Sequence, residues 1–142
     1  MPNRFAADFG KKHVHTAEYG NNNVEDYTVQ LATAAPVADV LFFGIVPAGS
    51  MVENVKLLNG AGGAGALLSV GYQPTDSTST TPAVPAYFFN AQSVAAAGRA
   101  DSASFPVMFD EDMFLTGTVS GAALSANARV TLVVDSKFRG AK

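Results

Sequence analysis

The sequence predicts an all-β fold: a jelly-roll-like β-sandwich of about eight antiparallel strands with an extended N-terminal arm. Three observations lead to this prediction. Apolar and polar residues alternate with a period of two through most of the chain. Glycine- and proline-containing turns separate the alternating segments at short intervals, which is typical of sandwiches and barrels. Helix-forming sequence is nearly absent. With 142 residues, the chain is long enough for one domain with its own core.

Eight segments have the alternation or the apolar character of a strand. The clearest is 25–31, where Tyr27, Val29 and Leu31 share one face. The segment 38–46 is almost wholly apolar, as expected for a strand that is covered on both faces. The predicted strands lie within 25–31, 38–46, 51–58, 66–73, 86–89, 104–110, 113–119 and 128–138.

Two segments are less regular. In 104–110, the alternation aligns Phe105, Val107 and Phe109 on one face, and Pro106 confines the segment to a sheet edge or a strand start. The alanine-rich stretch 90–100 favours a helix of one or two turns, because alanine has the highest helix propensity. Turn residues predict the connections 46–50, 59–65, 110–112 and 120–127, and the Thr/Ser/Pro tract 74–85 predicts an exposed, mobile loop.

The two ends of the chain differ from the predicted sandwich at 24–138. Residues 1–23 have no clean period and place aromatic residues among charges, glycine and asparagine, which predicts an extended arm. Residues 139–142 form a short basic tail. An arm whose aromatics find no local core often buries them on a partner. A frayed terminus without a role explains the same residues, and both interpretations remain open.

Charge is sparse and unevenly placed. Charged residues make up only 15% of the chain, which suggests that another molecule covers part of the surface. Residues 1–23 carry a net charge of +1, residues 24–128 of −7 and residues 129–142 of +3, which together give the net charge of −3. Basic ends on an acidic body favour contact with further copies or with an acidic neighbour, although scattered exposed charges explain any single residue as well. The basic residues are too dispersed for a nucleic-acid-binding surface.

Composition also excludes several classes. The chain has no cysteine, which rules out disulfides and thiolate metal sites. No apolar run approaches the length of a bilayer span; the longest is Val40–Val46. The first fifteen residues lack the apolar core of a secretory signal. We therefore expect a protein made in a cytoplasm, without a membrane partner.

The stretch NGAGGAG raises the question of nucleotide binding. Gly60, Gly62 and Gly65 match the GxGxxG spacing of dinucleotide-binding loops. That motif requires a helix directly after it, whereas Gly71 and Pro74 interrupt the following segment and its alternation is strand-like. We interpret the glycines as a loop between two strands, and we predict no cofactor.

Two further clusters resemble catalytic or metal-binding groups. His13 and His15 would project to one side of an extended strand, but a closed zinc site needs more ligands than these two. An intermolecular site at a symmetry axis is conceivable, but an exposed arm fits better. The acids of 110–112 lack the surrounding ligands that calcium needs, so we interpret them as a solvated turn. No serine lies in a GxSxG motif. We predict no metal site, no catalytic residue and no enzyme activity.

The chain resembles the small head-decoration, or cement, proteins of tailed bacteriophages. The resemblance is carried by GIVPAGSMVENVKLLN, by ALLSVGYQPTD leading into AYFFNAQSVAAAGR, and by FPVMFDEDMFLTGTVSGAALSANARVTLVVD, which cover most of residues 40–135. The similarity is in the style of these stretches and in their order along the chain, and no diagnostic motif is involved. The resemblance implies a jelly-roll-like β fold on the outer surface of a virion, made in the host cytoplasm.

The resemblance also implies partners. Such proteins bridge neighbouring major capsid subunits, often as dimers or trimers at local symmetry axes, and they have no catalytic residues to carry over. We therefore expect the major capsid protein and further copies of this chain as partners. Aromatic and charged side chains at the two ends are the candidates for these contacts: Arg4, Phe5, Phe9, Lys11, Lys12, His13, His15, Tyr19, Lys137 and Arg139.

Three other functions compete with decoration. A glycan- or receptor-binding module of a head fibre or tail spike would use exposed aromatics near polar loops, and Tyr72, Tyr87 and Phe88 flank the Thr/Ser tract. An enzyme is remote because no catalytic constellation is present. A shell-building coat protein fits poorly, since small jelly-roll coats usually carry a strongly basic arm and this arm is only weakly basic.

Overall fold

The computed structural model describes residues 3–6 and 22–139. These residues form two β-sheets, and no helix occurs among them. Accordingly, this part of the chain offers no apolar helix of membrane-spanning length. The strands are β1 Asn3–Phe5, β2 Asn22–Gln30, β3 Val40–Val46, β4 Ser50–Asn59, β5 Ala66–Pro74, β6 Val84–Ser93, β7 Gly98–Asp101, β8 Val107–Met108, β9 Met113–Gly121 and β10 Arg129–Phe138.

The strand order is that of a jelly roll. Sheet A has the order β1-β3-β9-β5-β6, and sheet B has the order β2-β10-β4-β7, with β8 also paired to β4. From β2 to β5 the chain crosses to the opposite sheet at each step, whereas β5 and β6 pair directly with each other. Two such sheets packed face to face, with strands that cross between them, are the double-sheet solution to closing an antiparallel fold. The predicted jelly-roll-like β-sandwich is confirmed.

The core lies between the two sheets and follows the alternation seen in the sequence. Tyr27, Val29 and Leu31 are buried as predicted, together with Leu132 of the neighbouring strand β10 and Leu68 of sheet A. In β3 the pairing with β9 skips a residue between Phe42 and Gly44. The resulting bulge lets β3 bury neighbouring residues on both of its faces, as its continuous apolar run predicted.

Strand β1 is an addition to the jelly roll. It pairs in parallel with β3, with Asn3 opposite Val40 and Phe5 opposite Phe42. Part of the range predicted as an arm therefore lies in sheet A. At its other limit, β2 begins at Asn22, two residues before the predicted boundary. Residues 7–21, the remainder of the predicted arm, lie outside the described residues.

The helix predicted in 90–100 is wrong. Residues up to Ser93 continue β6, where Gln92 and Ser93 pair with β5, and residues from Gly98 onward form β7 on the edge of β4. Both pairings place the segment along existing strands. Alanine favours a helix over most other residues by only about a few tenths of a kcal/mol per residue. Pairing with strands that are already in place, which satisfies the backbone N–H and C=O groups, outweighs this preference.

The glycine-rich loop joins β4 of sheet B to β5 of sheet A, as predicted from the absence of a following helix. Its glycines are needed for the turn itself. Gly65 has a φ of 76°, a conformation that L-residues adopt at a cost. A Cβ atom on Gly62 would lie 2.5 Å from the carbonyl oxygen of Val94. The local backbone therefore accounts for two of the three glycines that resemble a nucleotide fingerprint, whereas a Cβ on Gly60 would meet nothing closer than 3.9 Å.

Candidate contact surfaces

Arg4 is bound to its own chain. Its guanidinium donates from Nε to Asp39 Oδ2 at 2.9 Å, from Nη1 to Thr33 Oγ1 at 3.2 Å and from Nη2 to the Ala34 carbonyl at 3.1 Å. The Asp39 side chain is fully buried, whereas that of Arg4 remains 23% exposed. Arg4 therefore fastens β1 to the segment between β2 and β3. We call β1, Asp39 and Phe42 the β1 edge.

Phe5 lies on the outer side of the same edge. Its ring stacks on Phe42 at a centroid distance of 5.1 Å, and Phe42 meets Phe114 edge to face at 5.3 Å. Phe5 is half exposed, whereas Phe42 is buried. The three rings, residues 73–75 and Ser77 line a shallow recess of about 380 Å³. Like Arg4, Phe5 already makes contacts within its own chain, and only the exposed part of its ring is available to a partner.

The other predicted contact residues separate into two groups. Lys137 pairs with Glu53 across sheet B at 3.0 Å, and the backbone N–H of Arg139 donates to the Gly49 carbonyl at 2.7 Å. They lie at the end of β10 in sheet B, away from the strand that carries Arg4 and Phe5. The remaining predicted residues lie outside the described part of the chain: Phe9, Lys11, Lys12, His13, His15 and Tyr19.

The acids of 110–112 are used as hydrogen-bond acceptors in loops. Glu111 accepts a hydrogen bond from the Ser79 hydroxyl at 2.5 Å, and Asp112 accepts one from the backbone N–H of Ala48 at 2.8 Å. These bonds tie the Thr/Ser tract and the β3–β4 turn to the start of β9. In residues 3–6 and 22–139, no group of three potential metal-ligating side chains occurs.

The aromatics beside the Thr/Ser tract pack against the core. Phe88 is buried, and Tyr72 and Tyr87 are partly buried beside it with ring centroids 5.4 Å apart. Tyr72 also meets Phe109 edge to face at 4.8 Å. Burial raises the pKa of the Tyr72 phenol above its usual value, and the neighbouring Tyr87 raises this pKa further. These rings form part of the interior and of its rim.

The edge of the sandwich opposite β1 carries a residue that sequence reasoning placed wrongly. Only Val107 and Met108 of the predicted strand 104–110 form a strand, and Phe109 lies in the core. Phe105 points outward and is 87% exposed. Pro106 directly after it is the sequence signal, because a residue without an N–H delays the start of pairing. We call β6, β7, β8 and the connection 102–106 the Phe105 edge.

The backbone around Phe105 is held by hydrogen bonds to both sheets. The Phe105 carbonyl accepts from the Tyr87 hydroxyl at 2.9 Å. The Ser102 hydroxyl donates to the Phe88 carbonyl at 3.2 Å and accepts from the Ser104 N–H at 3.2 Å. The Ser102 N–H donates to the Val55 carbonyl of sheet B at 2.9 Å. The connection is therefore ordered although its aromatic side chain has no partner in the described structure.

The two sheets differ in charge. In sheet A, the strands β3, β5, β6 and β9 contain no charged residue. In sheet B, charges of both signs lie on β2, β4, β7 and β10. The buried residues that form the core between the sheets are almost all apolar, so this difference concerns the outer faces and the strand ends. The charged residues on these four strands of sheet B are Glu25, Asp26, Glu53, Lys56, Arg99, Asp101, Arg129, Asp135 and Lys137.

Comparison with known proteins gives structural matches only. No family model matches the sequence, and no curated protein matches it. Among solved structures, a chain in the capsid of Ralstonia phage GP4 superposes with a TM-score of 0.77 at 16% identity, over 99% of this chain and 100% of that one. These values show a shared fold.

Two further capsid structures contain the same fold. In the capsid asymmetric unit of cyanophage Pam1, the TM-score is 0.66 at 20% identity, over 91% of this chain and 95% of that chain. In the acid-stable capsid of Helicobacter pylori bacteriophage KHP30, the TM-score is 0.62 at 18% identity, over 87% and 92% of the two chains. The three matched chains are thus close to this one in length.

Proposed function

We propose that this protein is a structural virion protein that decorates the outside of a phage capsid and cements it by bridging neighbouring major capsid subunits. The observation that carries the proposal is the end-to-end match with a chain of the GP4 capsid. A match over nearly all of both chains means that the neighbour is a small chain of similar length. The fold is thus used by a small chain of a phage capsid.

The distribution of charge supports a role as an adhesive surface. The uncharged strands of sheet A carry only apolar and neutral polar side chains, which cost less to remove from water than charged ones. Many copies on a lattice gain strength from repeated modest contacts. Each bridge adds contacts that expansion of the shell under internal pressure must break. Catalysis, cofactors, nucleic acid and membranes have no part in this function.

In this proposal the arm extends the footprint of the sandwich. Arg4 and Phe5 fix its start on the β1 edge, and the residues after Ala6 reach a neighbouring subunit. Lys137 and Arg139 contribute basic charge at the other terminus. The protein acts as a dimer or trimer at a local symmetry axis, on a particle assembled in the host cytoplasm. The arm residues proposed to touch the shell or a second copy are Phe9, Lys11, Lys12, His13, His15 and Tyr19.

The test is binding to empty shells that lack this protein. Purified protein is mixed with shells, sedimented, and located by electron microscopy. We expect saturable co-sedimentation and density on the shell exterior at local symmetry axes. Absence of binding, or density on the inner surface, contradicts the proposal.

A deletion tests the arm separately. Removing residues 1–20 should weaken binding to shells because it removes the extended contacts. Since this deletion also removes β1, the matched control is the double variant Arg4→Ala/Phe5→Ala, which loosens β1 and keeps residues 7–20. Equal occupancy for wild type and deletion would rule the arm out.

The glycan- or receptor-binding alternative finds no support in the described contacts. Of the aromatics that suggested it, Phe88 is buried, and the Tyr87 hydroxyl is engaged with the Phe105 carbonyl. A glycan array tests this alternative directly, and specific binding to one sugar would favour it over decoration.

A further inference from the structure

We propose that Phe105 is an anchor that docks this protein on the capsid shell, in an apolar pocket that is flanked by a basic side chain of the major capsid protein. This inference rests on the proposed function and identifies a contact surface for it. It concerns the Phe105 edge and does not involve the arm.

The first argument is that folding does not use the Phe105 side chain. At 87% exposed, it is the most exposed of the large apolar side chains in the described residues. Its neighbours behave differently: Val107 packs against the core and Phe109 is buried within it. An exposed phenylalanine keeps a large apolar area in water that a partner can bury. Aromatic anchors in pockets are the residues that concentrate binding energy at interfaces.

The second argument is that the backbone beneath the ring is already ordered. The carbonyl of Phe105 is held by Tyr87, whose ring packs against Phe88 of the core at 5.1 Å. Pro106 fixes its own φ and restricts the conformation of the residue before it. Ser102 ties the same connection to both sheets. Because little backbone freedom remains to be lost on docking, the anchor is preorganised.

The third argument concerns the chemistry of β8 and the loop after it, which follow Phe105 directly along the chain. Next to β8 lies a recess of about 210 Å³, lined among others by Tyr72, Met108, Asp110 and Glu111. Met108 is 37% exposed and adds a second exposed apolar side chain to this edge. The acids give the rim a negative charge, and Asp112 follows directly. A partner that receives Phe105 in an apolar pocket gains further from a lysine or arginine that faces this rim.

The same rim argues against a second copy as the partner. A two-fold contact between copies would use the same patch on both sides and would bring two copies of the acidic rim at 110–112 into one interface. Like charges brought together in an interface oppose association. We therefore assign the contact to the shell.

The experiment compares the binding of three proteins to empty shells: wild type, Phe105→Ala and Val24→Ala. Val24 is 64% exposed on β2, at the edge of sheet B opposite β7, and serves as the matched loss of an exposed apolar side chain. We expect Phe105→Ala to weaken binding by at least about tenfold, as for a typical anchor residue. Val24→Ala should bind like wild type. Both variants should keep the melting temperature, because neither side chain lies in the core.

The outcomes separate this inference from the proposed function. If wild type binds shells and Phe105→Ala binds equally well, the anchor is wrong and the decoration function stands. If wild type does not bind, both fail. If Phe105→Ala instead changes the sedimentation of the free protein, the partner is a second copy and the assignment to the shell is overturned.

Two conservative variants test the supporting arguments. Tyr87→Phe removes the hydrogen bond to the Phe105 carbonyl while keeping the ring, and we expect binding a few-fold weaker than wild type. Glu111→Gln removes a charge and keeps an acceptor for Ser79, and we expect a shallower dependence of shell binding on salt concentration. Unchanged salt dependence contradicts the basic flank, and unchanged binding of Tyr87→Phe contradicts preorganisation.

Discussion

The β1 edge and the Phe105 edge each carry a surface phenylalanine, but the protein treats the two side chains differently. Phe5 stacks on Phe42, and its neighbour Arg4 is held by the buried Asp39. At the Phe105 edge the hydrogen bonds hold only the backbone, and the ring remains in water. The first edge uses its side chains to attach a strand. The second uses its backbone to present a side chain.

This difference shows how a contact residue can be distinguished from a structural one. Residue type does not decide, since both residues are phenylalanine at a sheet edge. The useful combination is a side chain without internal contacts on a backbone that is fixed. Such a side chain adds nothing to the stability of the fold. Its replacement by alanine should therefore weaken binding to a partner and leave the free energy of unfolding unchanged.

The largest expected effect is at Gly71, which lets β6 of the Phe105 edge approach β5. A Cβ atom there would lie 2.5 Å from the carbonyl carbon of Pro85, which is backbone and cannot move cheaply. We expect Gly71→Ala to lower the free energy of unfolding by about 3 kcal/mol, measured by denaturant titration. The control is Gly98→Ala on β7, where the nearest atom to a Cβ is at 3.9 Å. A similar loss for both variants would contradict the steric argument.

The next effect tests the β1 edge. Arg4→Ala leaves the buried Asp39 carboxylate without its cation, and we expect a loss of about 2 kcal/mol after allowance for the partial exposure of Arg4. Arg99→Ala, an exposed arginine on β7, is the control and should change stability by less than about 0.5 kcal/mol. Equal losses would mean that the ion pair does not fasten β1.

A direct comparison of the two phenylalanines gives a smaller effect. Phe5→Ala removes the stacked pair and should cost about 1 kcal/mol of unfolding free energy. Phe105→Ala should change it by less than about 0.5 kcal/mol, because the ring is exposed. Thermal melting of the two variants side by side measures this difference. The reverse order of stabilities would remove the contrast between the two edges.

The smallest effect is the pH dependence at Tyr72, behind the Phe105 edge. Its pKa in the folded protein lies above the usual 10.0, mainly because of burial. The folded state therefore holds this proton more tightly than the unfolded state does. The resulting stability is present below the unfolded pKa and is lost as pH rises through the folded one. Unfolding at pH 8 and at pH 11 should show a smaller decrease for Tyr72→Phe than for wild type. An identical decrease would contradict this origin.

The alternation in the sequence was sufficient for most of the fold. It placed Tyr27, Val29 and Leu31 in the core, and the interruption by Gly71 and Pro74 identified the glycine stretch as a loop. Local sequence patterns failed to predict a strand where its formation depends on pairing with a distant segment. β1 is three residues long and has no period of its own; its partner β3 lies thirty-seven residues further along the chain, counting from Asn3 to Val40.

The candidate site was harder to predict than the fold. Charge and aromatic content pointed to Arg4 and Phe5, but both have contacts within the chain that depend on Asp39 and Phe42. Phe105 was assigned to the same face as Val107 and Phe109, because alternation assumes that the strand already exists there. Pro106 delays the strand by removing a donor, and the ring is left outside. The exposure of a single side chain depends on such details.

The pairing of β2 with β10 has a consequence for biosynthesis. β10 lies between β2 and β4 in sheet B, so the first strand of the jelly roll meets its neighbour only when the last strand has been made. At roughly 5–20 residues per second, a ribosome needs several seconds to synthesise the intervening chain. Sheet B therefore closes only after the whole stretch from β2 to β10 has been synthesised. Products that terminate before β10 lack the strand that joins β2 to the rest of this sheet.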